Sequence, residues 1–150
     1  MQPKSSSNHN QISWQDGIAF FLILLFIYTA VSKLSDFDQF QRQMKLQTIP
    51  VWMQQILILF LPGVEIITGL LLAFTHTRLI GLYLSAILMT LFTGYVALVL
   101  INYFEQTPCS CGGVIKILGW KAHFVFNIFF LLLSILGIYI FNRERRTAWH

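Results

Sequence analysis

The chain has 150 residues, 56% of them hydrophobic and only 11% charged, with a mean hydropathy of +0.67. Soluble domains carry about 25% charged residues, so this composition excludes an ordinary soluble protein and implies one embedded in a bilayer. Ten Lys and Arg against six Asp and Glu leave a net charge of +4. The excess sits in short stretches between apolar runs rather than along one face, which argues against nucleic acid as a partner.

Residues 1–13 are polar, with Ser5, Ser6, Ser7, Asn8, His9 and Asn10 and no apolar period, and are expected to be a disordered tail. An apolar run over about 15–34, flanked by Trp14, Asp16 and Lys33, predicts a first span. Ala30-Val31-Ser32 has the form of a signal-peptidase site. The long leading tail with Lys4 as its lone positive charge favours a retained span. From Ser35 to Pro50, Phe37, Phe40 and Met44 recur at helical spacing among charged and amide residues, as in an amphipathic helix at the membrane surface. A second span over about 52–74 contains Gln54, Gln55, Glu65 and Pro62-Gly63, which predicts a kink. Residues 75–78 form a tight turn, and a third span covers about 79–103, with Asn102 at its end. A cysteine loop over 105–119 leads to a fourth span over about 120–141 and a basic tail over 143–150. The expected fold is an all-α membrane protein: a four-transmembrane-helix bundle over 14–142 with a short amphipathic interfacial helix between the first two spans.

Orientation follows from Lys and Arg near the span ends. Lys4, Arg78, Arg143, Arg145 and Arg146 lie on one side, and Lys33, Arg42, Lys45, Lys116 and Lys121 on the other. The counts tie, and the dense Arg cluster after the last span favours both termini in the cytoplasm. The protein is then a multi-pass cytoplasmic (inner) membrane protein with its cysteine loop on the extracytoplasmic side, where disulfides persist.

That loop holds both cysteines of the chain, in Pro108-Cys109-Ser110-Cys111-Gly112-Gly113. A Cys-x-Cys bridge closes a small strained ring, and strained disulfides are oxidising and labile. Pro108 fixes φ before the pair and the two glycines free the backbone after it, as a tight turn requires. The bland reading is inert thiols or a passive staple.

Polar groups within spans are functional candidates because they are costly there. Trp120, His123, Asn127 and Ser134 fall on one face of the fourth span, starting at the cysteine end. His123, Lys116, Lys121 and the positive end of that helix could each favour a thiolate. Otherwise His123 and Asn127 are packing glue across the bundle. Glu65 sits deep in the second span as a structural or proton-linked carboxyl. Lys33 is its salt partner by chemistry if the first span dips far enough, and a snorkelling interfacial residue if not. Trp120, Asn127 and Asn102, with Tyr103 and Trp52, either anchor the interface or line a slot for a quinone, which needs a flat apolar wall and one or two hydrogen-bond donors.

The cysteine motif followed by Leu118-Gly119-Trp120, His123 and Asn127 resembles the MauE-type, redox-associated membrane proteins related to DoxX. Tyr28-Thr29-Ala30-Val31-Ser32-Lys33-Leu34 and the stretch from Leu61 to Leu72 are similar to the first two helices of that group. The resemblance runs from Gly17 to Phe141. It implies a four-helix bundle tied to thiol-disulfide chemistry outside the cytoplasm. MauE itself is linked to disulfide formation in the small subunit of methylamine dehydrogenase, a substrate that does not transfer with the fold.

Three functions follow as expectations. The first is a thiol-disulfide oxidoreductase with Cys109, Cys111 and His123 at the reacting centre. It exchanges electrons between an extracytoplasmic, thioredoxin-like thiol protein and a membrane acceptor such as quinone held by Trp120, Asn127 and Asn102. With one cysteine pair and no internal relay, that pair must meet both partners. The second is a non-enzymatic anchor or assembly subunit of a redox or maturation complex. The third and weakest is soft-metal handling by Cys109, Cys111 and His123 with Met44 or Met53.

Overall fold

The computed structural model describes residues 14–47, 49–101 and 113–147, with the backbone alone at 113–118, 145 and 147. The expected tail over 1–13 and the stretch containing Asn102, Tyr103, Cys109 and Cys111 lie outside the described residues. The described residues form five helices in the order α1 (Trp14–Ser35), α2 (Phe37–Lys45), α3 (Val51–Ala73), α4 (Arg78–Leu100) and α5 (Gly113–Thr147), with no strand among them. Four of these, α1, α3, α4 and the Gly119–Glu144 part of α5, are long and apolar enough to cross a bilayer. The protein is a multi-pass, all-helical membrane protein with a short helix between the first two spans.

α2 follows from its local chemistry. The Asp36 side chain accepts a hydrogen bond from the Gln39 amide at 3.1 Å, and Arg42 and Lys45 occupy the last turn, matching both ends of the helix dipole. Phe40 and Met44, one turn apart, bury against Ile58 of α3, while Arg42 and Lys45 stay exposed. Gln54 Nε2 donates to the Gln47 carbonyl at 3.1 Å and to the Ile49 carbonyl at 2.8 Å, and Tyr95 of α4 donates its hydroxyl to Gln47 Oε1. These bonds lock the α2–α3 connection onto the bundle and satisfy Gln54 inside an otherwise apolar helix.

The spans form a ring. α1 lies beside α3 and α5, α4 lies beside the same two, and α3 and α5 make no contact among the described residues. Leu22, Phe26, Leu72, Leu82, Met89 and Phe130 fill the half of the bundle nearer the described termini. Phe20, Leu24, Leu59, Phe60, Leu91 and Phe129 face outward, an apolar surface that only hydrocarbon can cover.

Lipid is as apolar as leucine, so helix association in a bilayer depends on close packing and interhelical hydrogen bonds. Both are present. A Cβ on Gly81 would stand 2.8 Å from the Leu72 backbone nitrogen and 3.0 Å from the Leu71 carbonyl carbon, so its hydrogen is what lets α3 and α4 approach. Ser85 and Ser134 bond across α4 and α5 at 2.7 Å. At the terminal end, Arg78 pairs with Asp16 at 2.7 Å and donates to the Leu72 carbonyl at 3.3 Å, tying the α3–α4 turn to α1.

The helix limits differ from the sequence expectation most at the fourth span. Helix begins at Gly113 and not at 120, so 113–118 is helical where a loop over 105–119 was expected. Val114 to Leu118 contains no Pro or Gly, so nothing in those side chains prevents helical hydrogen bonding until Gly119. There the backbone turns to φ 70 and ψ 167, a conformation that glycine alone adopts readily. α4 ends at Leu100, short of the expected 103, and α3 continues through Pro62 without interruption.

Candidate functional site

The polar residues of the spans separate into two levels. At the lower one, Ser134 donates to the Phe130 carbonyl at 2.9 Å and pairs with Ser85, so this member of the α5 stripe is a packing residue. Thr68 likewise returns its hydroxyl to the Val64 carbonyl at 2.7 Å.

The upper level, nearer the cysteine loop, is different. Lys33 near the end of α1 places Nζ 2.7 Å from Glu65 Oε1 and 3.0 Å from Oε2, with the Thr29 carbonyl at 3.4 Å. The first span therefore does bring Lys33 to Glu65, and the snorkelling alternative does not describe this chain. Glu65 is 1% exposed and Lys33 19%, so the carboxylate is sealed while the ammonium stays within reach of the surface. An ion pair at this depth forfeits several kcal/mol of hydration per ion, about as much as its attraction returns. Its presence is hard to account for by stability alone.

On α5, His123 and Asn127 lie one turn apart on the inner face. His123 is half-buried with its ring stacked on Phe126 at 6.2 Å, and Asn127 is 3% exposed. His123 Nδ1 and Asn127 Nδ2 are both buried with no hydrogen-bond partner among the described residues. Among the described residues, neither nitrogen has the interhelical partner that packing glue would give it. A buried amide nitrogen without an acceptor costs about 1–3 kcal/mol, a debt that a bound acceptor group would remove. α1 lies beside both α3 and α5, so it links the Glu65 and His123 sides of the ring.

Trp120 is half-buried, directly after the Gly119 break and on the face that carries His123 and Asn127. Trp52 is exposed toward lipid. Cys109, Cys111 and Asn102 lie outside the described residues; in sequence, Cys111 precedes the first residue of α5 by two positions. Among the described residues no three His, Cys, Asp or Glu side chains converge as a metal site would require, and Met44 is spent on packing α2 against Ile58. A cavity of about 280 Å³ between α4 and α5, lined by residues including Tyr83, Thr90, Leu131 and Ile135, opens to lipid, and its Thr90 hydroxyl is already bonded to the Ala86 carbonyl.

The model of one protein family, described as methylamine utilisation protein MauE, matches residues 12–140. The chain belongs to the MauE family. No curated protein and no solved structure matches it. The family match covers the first three spans and the fourth as far as Ile140, and includes Lys33, Glu65, Trp120, His123 and Asn127 together with both cysteines. Two features of this MauE-family bundle go beyond what its sequence pattern indicates: the Gln47–Gln54–Tyr95 knot and the role of Ser85. Gln54 was the available signal for the first, an amide in an apolar helix. Ser85 gave none, because a serine in a span is common and its partner depends on the α4–α5 register.

Proposed function

We propose that this MauE-family protein is a membrane thiol-disulfide redox protein. Cys109 and Cys111 exchange electrons with a dithiol protein on the extracytoplasmic side, and His123, Asn127 and Trp120 hold a quinone at the same end of the bundle. The observation that carries the second half is the buried pair His123 Nδ1 and Asn127 Nδ2, without partners among the described residues. Asn127 can donate a hydrogen bond to a carbonyl oxygen, His123 can donate or accept according to its tautomer, and Trp120 and Phe126 supply flat apolar faces beside them. Bound there, a quinone takes up two electrons and two protons on reduction.

In the oxidising direction, a partner thiolate attacks one sulfur of the Cys109–Cys111 disulfide. The S–S bond breaks, a mixed disulfide forms, and the partner's second thiolate displaces the chain's cysteine. The partner has then lost two electrons, and the pair is left as a dithiol. The same residues serve the reverse direction. Both termini lie in the cytoplasm, and the loop meets its partner outside.

The test is trapping. Cys109→Ser and Cys111→Ser, expressed separately, should accumulate a mixed disulfide with an extracytoplasmic protein on non-reducing gels. No adduct with either variant, together with unaltered activity of the double variant, would leave assembly of a partner complex as the function. A membrane-impermeant maleimide should label the loop thiols from outside; labelling confined to the cytoplasmic side would reverse the orientation.

A further inference from the structure

The Lys33–Glu65 pair has no part in the exchange just described, yet it is a desolvated ion pair within the bundle. Its placement is specific. α3 and α5 do not touch among the described residues, and α1 lies beside both. Lys33 on α1 bonds Glu65, and the packing of Gly137 against Ile18 sets an antiparallel α1–α5 register that puts Lys33 level with His123. Among the residues whose side chains are described, no other charge competes at this level. Between Arg78 at the opposite end and Leu100, α4 carries no Asp, Glu, Lys, Arg or His. Asp36, Asp38, Arg42 and Lys45 around α2 and Lys121 on α5 are exposed. Tyr95, the α4 phenol at this end, is bonded to Gln47. The lysine has a flexible four-carbon stem and partial access to the surface, whereas Glu65 is sealed.

We propose that Lys33 and Glu65 form a proton-uptake site for the quinone site proposed at His123 and Asn127. When negative charge arrives at that site, the Lys33 ammonium turns from Glu65 toward it, and the Glu65 carboxylate, left buried without its counter-ion, takes up one proton from water at the loop end. This rests on the quinone half of the proposed function. Over a full cycle the Cys109/Cys111 dithiol closes to a disulfide, giving two electrons to a quinone and two protons to water. Two protons are needed to complete the quinol; Glu65 provides one of them and water at the loop end the other. Uptake at Glu65 keeps the interior from accumulating net negative charge, which a low-dielectric site tolerates poorly.

The prediction can be read without turnover. The full chain in lipid nanodiscs is titrated with a hydroxynaphthoquinone at pH values where the ligand is ionised, and with its neutral methyl ether. In the wild type, Kd for the anion should weaken about tenfold per pH unit, the signature of one proton bound with the ligand, while the ether binds independently of pH. Lys33→Met/Glu65→Gln removes both charges together, so the fold need not carry an orphan ion. This variant should bind the ether as the wild type does, bind the anion at least about tenfold more weakly, and show no pH slope. A wild-type slope of zero, or an unchanged slope in the double variant, overturns the proton-uptake site. Failure of either analogue to bind the wild type, while the cysteine variants still trap a partner, overturns it along with the quinone pocket and leaves thiol exchange standing.

Discussion

The Lys33–Glu65 pair should behave as a strongly coupled unit in stability as well as in binding. At separations of 2.7 and 3.0 Å, its Coulomb attraction is about 5–6 kcal/mol for an effective dielectric constant of about 20. Removing both charges from water costs a comparable amount, so the intact pair contributes little net. Lys33→Met alone or Glu65→Gln alone forfeits the attraction and leaves one ion desolvated in the bundle, which should cost about 3–5 kcal/mol. The double variant loses attraction and penalty together and should lie within about 1 kcal/mol of the wild type. Unfolding of the reconstituted protein by SDS, followed by tryptophan fluorescence, gives the four corners of the cycle. Single variants each costing less than about 1 kcal/mol, with additive effects in the double, would refute the reasoning. Such additivity would mean that Lys33 leaves Glu65 for the interface without loss.

Two further outcomes follow from packing and from the orphaned amide. Gly81→Ala and Gly94→Ala gain the same helix propensity, roughly 1 kcal/mol, but a methyl at Gly81 strikes α3 backbone whereas one at Gly94 meets nothing within 4 Å. The same SDS unfolding should therefore place Gly81→Ala about 1–3 kcal/mol below Gly94→Ala, and equal stabilities would show that the α3–α4 contact is looser than described. Asn127→Leu removes a buried amide nitrogen that lacks a partner among the described residues, so stability should hold or rise by about 1 kcal/mol while binding of a quinone analogue, read by fluorescence quenching, drops by at least about tenfold. Lost stability with retained binding would make Asn127 a packing residue.

The membrane spans and the surface helix were legible because both rest on local pattern. An apolar run of about 20 residues has one use in a bilayer, and Phe40 and Met44 one turn apart mark a face wherever the helix docks. The Glu65–Lys33 pair was legible as chemistry but not as contact. Whether a lysine two residues from the end of α1 snorkels or dips is set by the α1–α3 register. Gly69 helps fix that register by meeting the Ile27 side chain, where a Cβ would stand 2.8 Å from Cδ1. The α5 stripe was read as one unit, yet Ser134 belongs to a serine pair and His123 and Asn127 do not. Helical periodicity gives direction around an axis and says nothing about which neighbouring helix offers a partner at each level. The Gly113–Leu118 helix was hidden by the glycines and cysteines around it, which draw attention to the turn and away from the apolar run between.

Gly119 has a mechanical consequence. A continuous helix is a stiff lever, and an unbroken α5 would convey any reshaping at its Gly113 end along its axis to Ser134 and beyond. The left-handed φ of 70 interrupts that lever one residue before Trp120, with open space where a side chain would stand. A change in the chain upstream of Gly119 can then proceed without torque on the four packed spans. The bundle acts as a fixed mount, and the segment before Gly119 as a separately hinged fitting.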